Sequence, residues 1–326
     1  MCDRFRRRRL SAFHQFQTFP SVSETGSFVS KGLKRAFLQD RLCGPRLSMR
    51  QEFPTSLISE LPSTSVRPVS PPAPYIGGKR NLSRRLCALT DATPHDTYVE
   101  PFTGMGGVFP KRTRQPRAEV INDISADLTT LFRILQRHYF QFMDVLKWQI
   151  TSRAEFDRLR AAAPETLTDL ERAARFLYLQ RLSFGGKVDG RNFGVKREAS
   201  ARFDVTKLGP MLDELHQRLT GVVIERLPYA DLIRRYDAPG TLFYLDPPYW
   251  GCEGDYGPSV FERADFERLS DQLAGIAGRF ILTINATDGA REVFDRFHVI
   301  AAETTYTIGT ASSGGGKRVK ELIIRN

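Results

Sequence analysis

A carboxylate, two prolines and two aromatic residues follow directly on an uncharged run in the second half of the chain. The run is Thr241–Leu245, and Asp246, Pro247, Pro248, Tyr249 and Trp250 come immediately after it. An apolar run of this length, with no charge in it, predicts a buried and central strand. Open α/β sheets bind ligands at the carboxyl ends of such strands, so Asp246 is predicted to lie at a ligand site.

These residue types suit an amino group attached to a planar ring. Asp246 offers one hydrogen-bond acceptor, and the Pro247 carbonyl offers a second because two consecutive prolines leave their carbonyls free for other donors. Tyr249 offers a flat surface for stacking. Two acceptors that pull on the amine hydrogens localise the nitrogen lone pair and make it nucleophilic. A nucleobase amine fits, provided that the base leaves the helix stack. A plain Pro-Pro turn with a surface acid is the alternative, because short motifs have many false positives.

A glycine loop and a second acid form the next candidate site. Residues 98–100 read as a short strand that leads into Pro101–Phe109, where Phe102, Gly104 and Gly106 stand in a tight loop. A strand, a glycine loop and a helix form the architecture that binds adenosine-type cofactors. The dinucleotide fingerprint is absent, because its third glycine position is occupied by Phe109. Asp123 follows a second strand about 20 residues on and is predicted to accept hydrogen bonds from ribose hydroxyls; a helix N-cap is its structural alternative.

Ordered structure is predicted to begin at Tyr75, where Tyr75-Ile76-Gly77-Gly78-Lys79 opens a helix. A glycine pair at this place allows a ligand to approach the backbone closely, and Lys79 could reach a carboxylate. Taken alone, Gly-Gly-Lys is more often an ordinary loop.

Together, these segments resemble the Dam-like family of DNA adenine-N6 methyltransferases, with the phage and prophage members most similar. The resemblance covers residues 74–326 and rests on the order of Tyr75–Lys79, Pro101–Gly107, Asn122-Asp123 and Asp246–Tyr249. It implies S-adenosylmethionine as methyl donor. It also implies an α/β class I methyltransferase fold: a Rossmann-like, doubly wound sheet with one antiparallel strand, plus an inserted, mostly helical DNA-recognition subdomain.

The resemblance also assigns roles to residues. Tyr75, Lys79, Phe102, Gly104, Gly106, Asp123 and Asp246 match cofactor-binding positions. Asp246, Pro247, Pro248 and Tyr249 match the catalytic tetrapeptide. Tyr75 stands where the family often has Trp, a mild departure because either ring can line the pocket.

The middle of the chain is predicted to contact DNA. Residues 172–202 contain eight basic residues against two acids, with aromatic residues between them. Basic loops with flat side chains suit phosphate contact and base readout, and Arg and Asn are the residues that read guanine and adenine. A solvated basic face is the alternative. The predicted DNA-binding residues are Lys187, Arg191, Asn192, Lys196 and Arg197.

Composition limits the remaining classes. The 326 residues carry a net charge of +11, which favours a polyanionic partner without specifying one. No apolar run is long enough to span a membrane. The histidines and four scattered cysteines show no ligand spacing, so no metal site is expected and a reducing compartment is predicted. The resemblance implies a prokaryotic or phage-encoded protein of the cytoplasm, associated with the nucleoid when it is bound to DNA.

The first part of the chain differs from the rest. Residues 1–74 hold 12 Lys and Arg against 5 Asp and Glu, and Ser, Thr and Pro dominate from residue 48 to residue 74. This composition predicts a disordered basic extension over residues 1–73. A targeting peptide, or a translation start further in at Met49, are the alternatives. Residues 74–150 are then the cofactor-binding part of the core, residues 151–220 the inserted recognition subdomain, and residues 221–326 the catalytic part.

The predicted function is transfer of a methyl group from S-adenosylmethionine to a flipped adenine in duplex DNA. After the tetrapeptide, Gly251–Pro258 is predicted to close over the flipped base, with Asp255 and Tyr256 in the loop. Two alternatives stay open. One is an amino-methyltransferase of the same fold acting on cytosine N4, RNA or a protein amide. The other is an inactive DNA-binding protein. The oligomeric state and the target sequence are not predicted.

Overall fold

The computed structural model describes residues 63–194, 198, 200–257, 260–306 and 317–326. Its strands are β1 (Thr64–Ser65), β2 (Thr97–Glu100), β3 (Arg114–Gln115), β4 (Ala118–Asn122), β5 (Val223–Glu225), β6 (Thr241–Leu245), β7 (Arg279–Asn285), β8 (His298–Tyr306) and β9 (Lys317–Arg325). Its helices are α1 (Ser83–Ala92), α2 (Ala126–Arg137), α3 (Tyr139–Leu146), α4 (Arg153–Ala161), α5 (Asp169–Leu182), α6 (Val205–Arg218), α7 (Tyr229–Tyr236), α8 (Arg263–Ala274) and α9 (Asp288–Val293).

Seven of the described strands form one sheet in the order β5-β4-β2-β6-β7-β9-β8. Strands β5, β4, β2, β6 and β7 are mutually parallel, and β9 runs antiparallel to both of its neighbours, β7 and β8. The predicted class I methyltransferase sheet with one antiparallel strand is therefore confirmed. The predicted central strand is β6, and every residue of it is buried.

The sheet has a hydrophobic core on each face, because successive residues of a strand point to opposite sides. Tyr98 and Leu242 belong to the core that also contains the buried residues of α1 to α6. Their neighbours Val99 and Phe243 belong to the opposite core, which α7, α8 and α9 cover. Burial on both faces explains why β6 is a continuous apolar run and not an alternating one.

The insertion is mostly helical, as predicted, and its helices α5 and α6 pack against α2 and α3. Buried residues of α4, α5 and α6 belong to the same core as Tyr98 and Ile121. The Arg172 guanidinium on α5 lies 2.6 Å from the Asp127 carboxylate on α2. The insertion is thus held against the cofactor half of the sheet by shared apolar packing and by charge.

The packed part of the chain starts earlier than the sequence predicted. Residues 63–73 were assigned to the disordered extension, yet β1 pairs with β3, and Val69 and Ala73 are each only 5% exposed. The Arg181 guanidinium on α5 donates to the Pro72 carbonyl at 2.9 Å. This part of the assignment is corrected, because backbone pairing and two small apolar side chains outweigh a Ser- and Pro-rich composition. Residues 1–62 lie outside the described residues.

Two further findings concern the described residues alone. No helix among them combines the length and apolar character needed to cross a membrane. Within the same ranges, no three His, Cys, Asp or Glu residues are grouped so as to hold a metal ion.

Candidate active site

The carboxyl ends of three neighbouring parallel strands meet at one edge of the sheet. Strand β2 lies between β4 and β6, so the chain reverses its direction of winding at β2. Doubly wound sheets bind ligands in the crevice at such a switch point. The glycine loop follows β2, Asp123 follows β4 and Asp246 follows β6, so the topology brings the three predicted motifs together.

A cavity of about 1870 Å³ opens at this edge. It is lined by seven of the predicted site residues: Tyr75, Lys79, Phe102, Gly104, Asp123, Asp246 and Pro248. Pro247 is buried and Tyr249 half-buried, and both adjoin this lining. Gly106 is not among the residues that line the cavity: its φ is +82°, and a Cβ there would lie 3.1 Å from the Pro110 ring, so this glycine permits the tight turn of the loop.

Asp246 is anchored through one of its two oxygens. Oδ1 lies 2.7 Å from the Lys79 ammonium and accepts a hydrogen bond from the Thr283 hydroxyl at 3.0 Å. Within the described residues no donor bonds to Oδ2, although the side chain is only 20% exposed. One oxygen is thus fixed by the protein, and the other keeps its capacity to accept.

The pKa of the Asp246 carboxyl is raised to about 6, chiefly by burial. Lys79 and the Thr283 hydrogen bond lower it, and the negative charge of Glu321 raises it. A carboxylate that must accept a hydrogen bond from an amine works in its ionised form. Burial and the surrounding charges therefore place the pKa of Asp246 near the pH at which the ionised group, which accepts hydrogen bonds well, becomes a protonated acid, which accepts them poorly.

Lys79 does reach a carboxylate, as the sequence suggested, and that carboxylate is Asp246. Its ammonium also lies 3.6 Å from the Glu321 carboxylate and donates to the Tyr249 hydroxyl at 2.5 Å. The same ammonium stands 4.4 Å from the centre of the Tyr249 ring. The lysine side chain is 1% exposed, so this cation is neutralised by buried acids and not by water.

The turn after the tetrapeptide is fixed by Asn285 at the end of β7. The Trp250 N–H donates to the Asn285 side-chain oxygen at 2.8 Å, and the Asn285 amide donates back to the Trp250 carbonyl at 2.9 Å. The Trp250 ring stacks on Phe266 with ring centres 4.9 Å apart. Both ends of the Asn285 amide therefore bind the backbone of the residue that follows Tyr249.

The other half of the site is built around Asp123. Its two oxygens accept from the Gly104 N–H and the Ser125 N–H, each at 2.9 Å, and burial raises the pKa of its carboxyl to about 6. Gly104 has a φ of +52°, and a Cβ there would lie 3.1 Å from the Tyr75 ring. Phe102 packs against Tyr229 with ring centres 5.5 Å apart. Asp123 therefore ties the glycine loop to the start of α2, besides facing the cavity.

Tyr256 lies on the short turn Glu253–Tyr256 and also lines the cavity. Its hydroxyl donates to the Ile76 carbonyl at 3.4 Å, and its ring centre is 6.1 Å from that of Tyr75. The Gly251–Pro258 loop thus reaches across to the Tyr75–Lys79 segment. Pro258 itself lies outside the described residues.

The predicted DNA-binding residues divide into three groups. Lys187 and Asn192 are exposed. Arg191 is turned inward: its guanidinium donates to the Gln180 side-chain oxygen at 3.3 Å and lies 5.3 Å from the centre of the Phe176 ring. Lys196 and Arg197 lie outside the described residues. On this side, the cavity is also lined by Arg181, Phe184 and Arg202, and Phe184 is 56% exposed.

Sequence reasoning missed Thr283 and Glu321, both of which contact the Asp246–Lys79 pair. Thr283 is a polar residue inside the otherwise apolar strand segment Phe280–Ile284, whereas Glu321 follows Lys320 and comes directly before the apolar residues Leu322–Ile324. A buried polar side chain needs a partner, so such an interruption is a usable signal for a residue that serves a site.

Comparison with known proteins identifies the family. A family model described as "D12 class N6 adenine-specific DNA methyltransferase" matches residues 75–308. The type II methyltransferase M.CviBI of Paramecium bursaria Chlorella virus NC1A is 25% identical over 264 residues, which cover 79% of this chain and 100% of that protein.

Two other relatives agree. The type II methyltransferase M1.LlaDCHI of Lactococcus lactis subsp. cremoris is 26% identical over 273 residues, covering 77% of this chain and 93% of that protein. The DNA N-6-adenine-methyltransferase of Escherichia phage P1 is 25% identical over 217 residues, covering 61% of this chain and 28% of that longer protein. The family match spans well over half of the sequence and includes the glycine loop, Asp123 and Asp246, and the chain therefore belongs to the D12 class N6 adenine-specific DNA methyltransferase family.

Proposed function

We propose that this adenine-specific DNA methyltransferase takes its methyl group from S-adenosylmethionine and delivers it to the N6 amine of an adenine flipped out of duplex DNA. One observation carries the proposal. Asp246 lines the cavity that it shares with Asp123 and the glycine loop, with Oδ1 anchored and Oδ2 unbonded among the described residues.

Asp246 and the Pro247 carbonyl act on the amine of the base. Oδ2 accepts one amine hydrogen and the Pro247 carbonyl accepts the other, which localises the nitrogen lone pair. Lys79 and Thr283 hold Oδ1, so the carboxylate does not have to reorient when the base arrives. The contribution of these residues is positioning and electrostatic stabilisation.

Tyr249 supports the flipped ring. Its hydroxyl is fixed by Lys79, and the following backbone is fixed by Asn285. A tyrosine held at both places offers a stacking face at a small loss of side-chain entropy. The size of the cavity supports the same view, because about 1870 Å³ exceeds the roughly 300–1,000 Å³ of an ordinary small-molecule pocket. Such a volume can admit a nucleobase as well as a cofactor.

The residues of the other half fit S-adenosylmethionine. Asp123 would accept from the ribose hydroxyls, Tyr75 and Phe102 would contact the apolar parts, and Gly104 keeps the backbone close because a Cβ there would meet the Tyr75 ring. When bound, this group supplies a methyl on a sulfonium, which the amine nitrogen accepts as the carbon–sulfur bond breaks. Tyr256 and the Gly251–Pro258 loop would exclude water from the filled cavity.

The exposed face of the insertion would contact the DNA. Lys187 and Asn192 are accessible, and Arg181 and Arg202 line the same side of the cavity. Arg191 would have to leave Gln180 before it could read a base edge. Lys196 and Arg197 stay candidates from sequence alone. We propose that the enzyme acts in the cytoplasm, as a prokaryotic or phage-encoded protein.

The test is methylation of unmodified plasmid DNA by the purified full-length protein with S-adenosylmethionine, followed by mass spectrometry of the nucleosides and mapping of the modified positions. N6-methyladenine is the expected product. N4-methylcytosine would instead favour the cytosine alternative. DNA binding without any methylated nucleoside would favour an inactive DNA-binding protein.

The variant Asp246→Ala tests the proposed role of the carboxylate in the same assay. We expect it to abolish methylation while it leaves the affinity for DNA within about threefold, because the flipped base is the one part of the DNA that the carboxylate is proposed to contact. The control is Asp271→Ala on α8, which removes a carboxylate that is 71% exposed and paired with Arg296. The control should methylate at the normal rate; normal methylation by Asp246→Ala would exclude the proposed role of Asp246.

A further inference from the structure

We infer that Thr283 and Glu321 are positioning residues for Asp246, and that they hold its carboxylate from two sides with opposite electrostatic effects. The inference rests on the proposed function, because it concerns the same carboxylate. Neither residue belongs to a sequence motif. The proposed mechanism uses Thr283, on β7, only to hold Oδ1, and it does not include Glu321, on β9.

Thr283 holds Oδ1 through a chain of two hydroxyl groups. The residue is fully buried, and its Oγ1 lies 3.0 Å from both Asp246 Oδ1 and the Tyr244 hydroxyl. A carboxylate oxygen accepts only, so the Thr283 proton points to Asp246 and the Tyr244 hydroxyl donates to Thr283. This arrangement favours the ionised form of Asp246, and removal of the threonine hydroxyl would disfavour it.

Glu321 holds Asp246 through Lys79. The side chains of Glu321 and Lys79 are each 1% exposed, and their charged atoms lie 3.6 Å apart. A single ammonium therefore serves two buried carboxylates, Glu321 and Asp246. Glu321 fixes Lys79 in position and also shares its positive charge, so that the charge of Asp246 is only partly compensated.

The charged and titratable groups around Asp246 come from several elements. Lys79 precedes α1, Glu321 lies on β9, Tyr244 on β6 and Glu100 at the end of β2. Tyr249 ends the tetrapeptide, and Tyr256 lies in the loop after it. The wild-type rate should fall as the pH decreases through the pKa of Asp246, about 6, because the protonated acid cannot accept from the amine at Oδ2 as strongly. Thr283 and Glu321 should shift the pH of this decrease in opposite directions.

The experiment measures kcat/KM for plasmid methylation against pH for the full-length protein and its variants. The acid limb is the part of the profile in which kcat/KM falls as the pH decreases. Thr283→Val should move this limb to higher pH, and Glu321→Gln should move it to lower pH, each by about half a pH unit to one pH unit. Thr283→Ser, which keeps the hydroxyl, should restore the wild-type profile. Glu321→Ala, which removes the whole side chain beside the Lys79 ammonium and not only its charge, should lower kcat about tenfold relative to Glu321→Gln while the KM for DNA stays within about threefold.

A purely structural function would give a different pattern. Thermal unfolding and cofactor binding establish that each variant is folded, and Thr90→Val on α1 is the control for loss of a buried threonine hydroxyl far from Asp246. Thr90→Val should lower stability without moving the acid limb. The inference would be overturned if the acid limbs of Thr283→Val and Glu321→Gln stay at the wild-type pH. It would also be overturned if both limbs move in the same direction. Absence of N6-methyladenine from the wild-type reaction would instead overturn the proposed function itself.

Discussion

Three acids stand close together at the carboxyl edge of the sheet, and each titrates above its ordinary range. Burial raises the pKa of the carboxyls of Asp123 and Asp246 to about 6 and that of Glu100 to about 8. Carboxyl groups whose pKa values are raised by burial are common at functional sites. Their burial lowers the stability of the fold but gives the group the pKa that the reaction needs. Asp246 is the one whose charged form the proposed reaction uses.

Glu100 allows the effect of a buried carboxyl group on stability to be tested at a single residue. Its Oε2 accepts from the Tyr98 hydroxyl at 2.7 Å and from the Phe109 N–H at 3.0 Å. Because the folded pKa, about 8, is above the ordinary 4.5, the folded protein retains a proton that the unfolded chain loses. The contribution of Glu100 to stability therefore decreases as the pH rises through that window.

We expect Glu100→Gln to remove this decrease, because the amide keeps an oxygen for both donors and does not ionise. Urea unfolding of both proteins at about pH 5 and about pH 8.5 checks it. The free energy of unfolding of the variant minus that of wild type should therefore be larger at about pH 8.5 than at about pH 5, which means that the variant is relatively more stable at the higher pH. An equal difference at the two pH values would contradict the assignment.

At the scale of elements, the site depends on loops that follow strand ends and that are joined to one another. Asp123 binds the Gly104 N–H, and Asn285 binds the backbone of Trp250 at both its N–H and its carbonyl. The Tyr256 hydroxyl connects the loop after β6 with the segment before α1. Each loop is thus held by a side chain from another element, which gives the cavity a defined shape before a ligand binds.

Gly104→Ala tests how much cofactor binding depends on the glycine loop. The residue has a φ of +52°, and its new Cβ would lie 3.1 Å from the Tyr75 ring, so the loop and the ring must separate. We expect the Kd for S-adenosylmethionine, measured by calorimetry, to rise about tenfold or more, equivalent to roughly 1.4 kcal/mol. DNA affinity should not change.

Gly221→Ala is the matched control for that variant. Gly221 also has a positive φ, +76°, but a Cβ there would meet nothing within 4 Å, and the residue lies in the turn between α6 and β5. Its left-handed backbone should cost about 1–2 kcal/mol of stability and leave cofactor affinity unchanged. Equal effects of the two variants on cofactor affinity would show that backbone strain, and not contact with Tyr75, is responsible.

At the scale of the whole molecule, a buried ionic network joins the end of the insertion to the sheet. Glu119 on β4 accepts from Arg218, the last residue of α6, at 2.6 Å and 2.7 Å, and from Arg112 at 3.1 Å. The two guanidinium groups also lie over the rings of Phe109 and Tyr98, 4.1 Å and 4.0 Å from the ring centres. The network holds together elements that are about 100 residues apart along the chain.

Glu119→Ala leaves both guanidinium groups buried without their carboxylate and should lower the free energy of unfolding by about 3–5 kcal/mol. Chemical denaturation measures the effect. The control is Asp144→Ala, which breaks an exposed pair with Lys147 and should cost less than about 1 kcal/mol. A loss of similar size in both variants would argue against a structural function of the network.

The sequence by itself determined the parts of the protein that local pattern encodes. The apolar run of β6, the acids after β4 and β6 and the glycine loop after β2 indicated a parallel sheet with a ligand site at its carboxyl edge. The order of the motifs indicated the family, and the basic composition of residues 172–202 indicated the insertion. Each of these features depends on residues that lie within a few positions of one another, so periodicity and spacing reveal them.

Only the tertiary structure decided which side chains meet. Lys79 contacts Tyr249, which is 170 residues away along the chain. The Arg191 guanidinium donates a hydrogen bond to Gln180 inside the insertion. Thr283 and Glu321 come from two further strands, and residues 63–73 are ordered by packing that their composition does not encode. Long-range contacts of this kind depend on strand order and register, which bring together residues that the sequence keeps far apart.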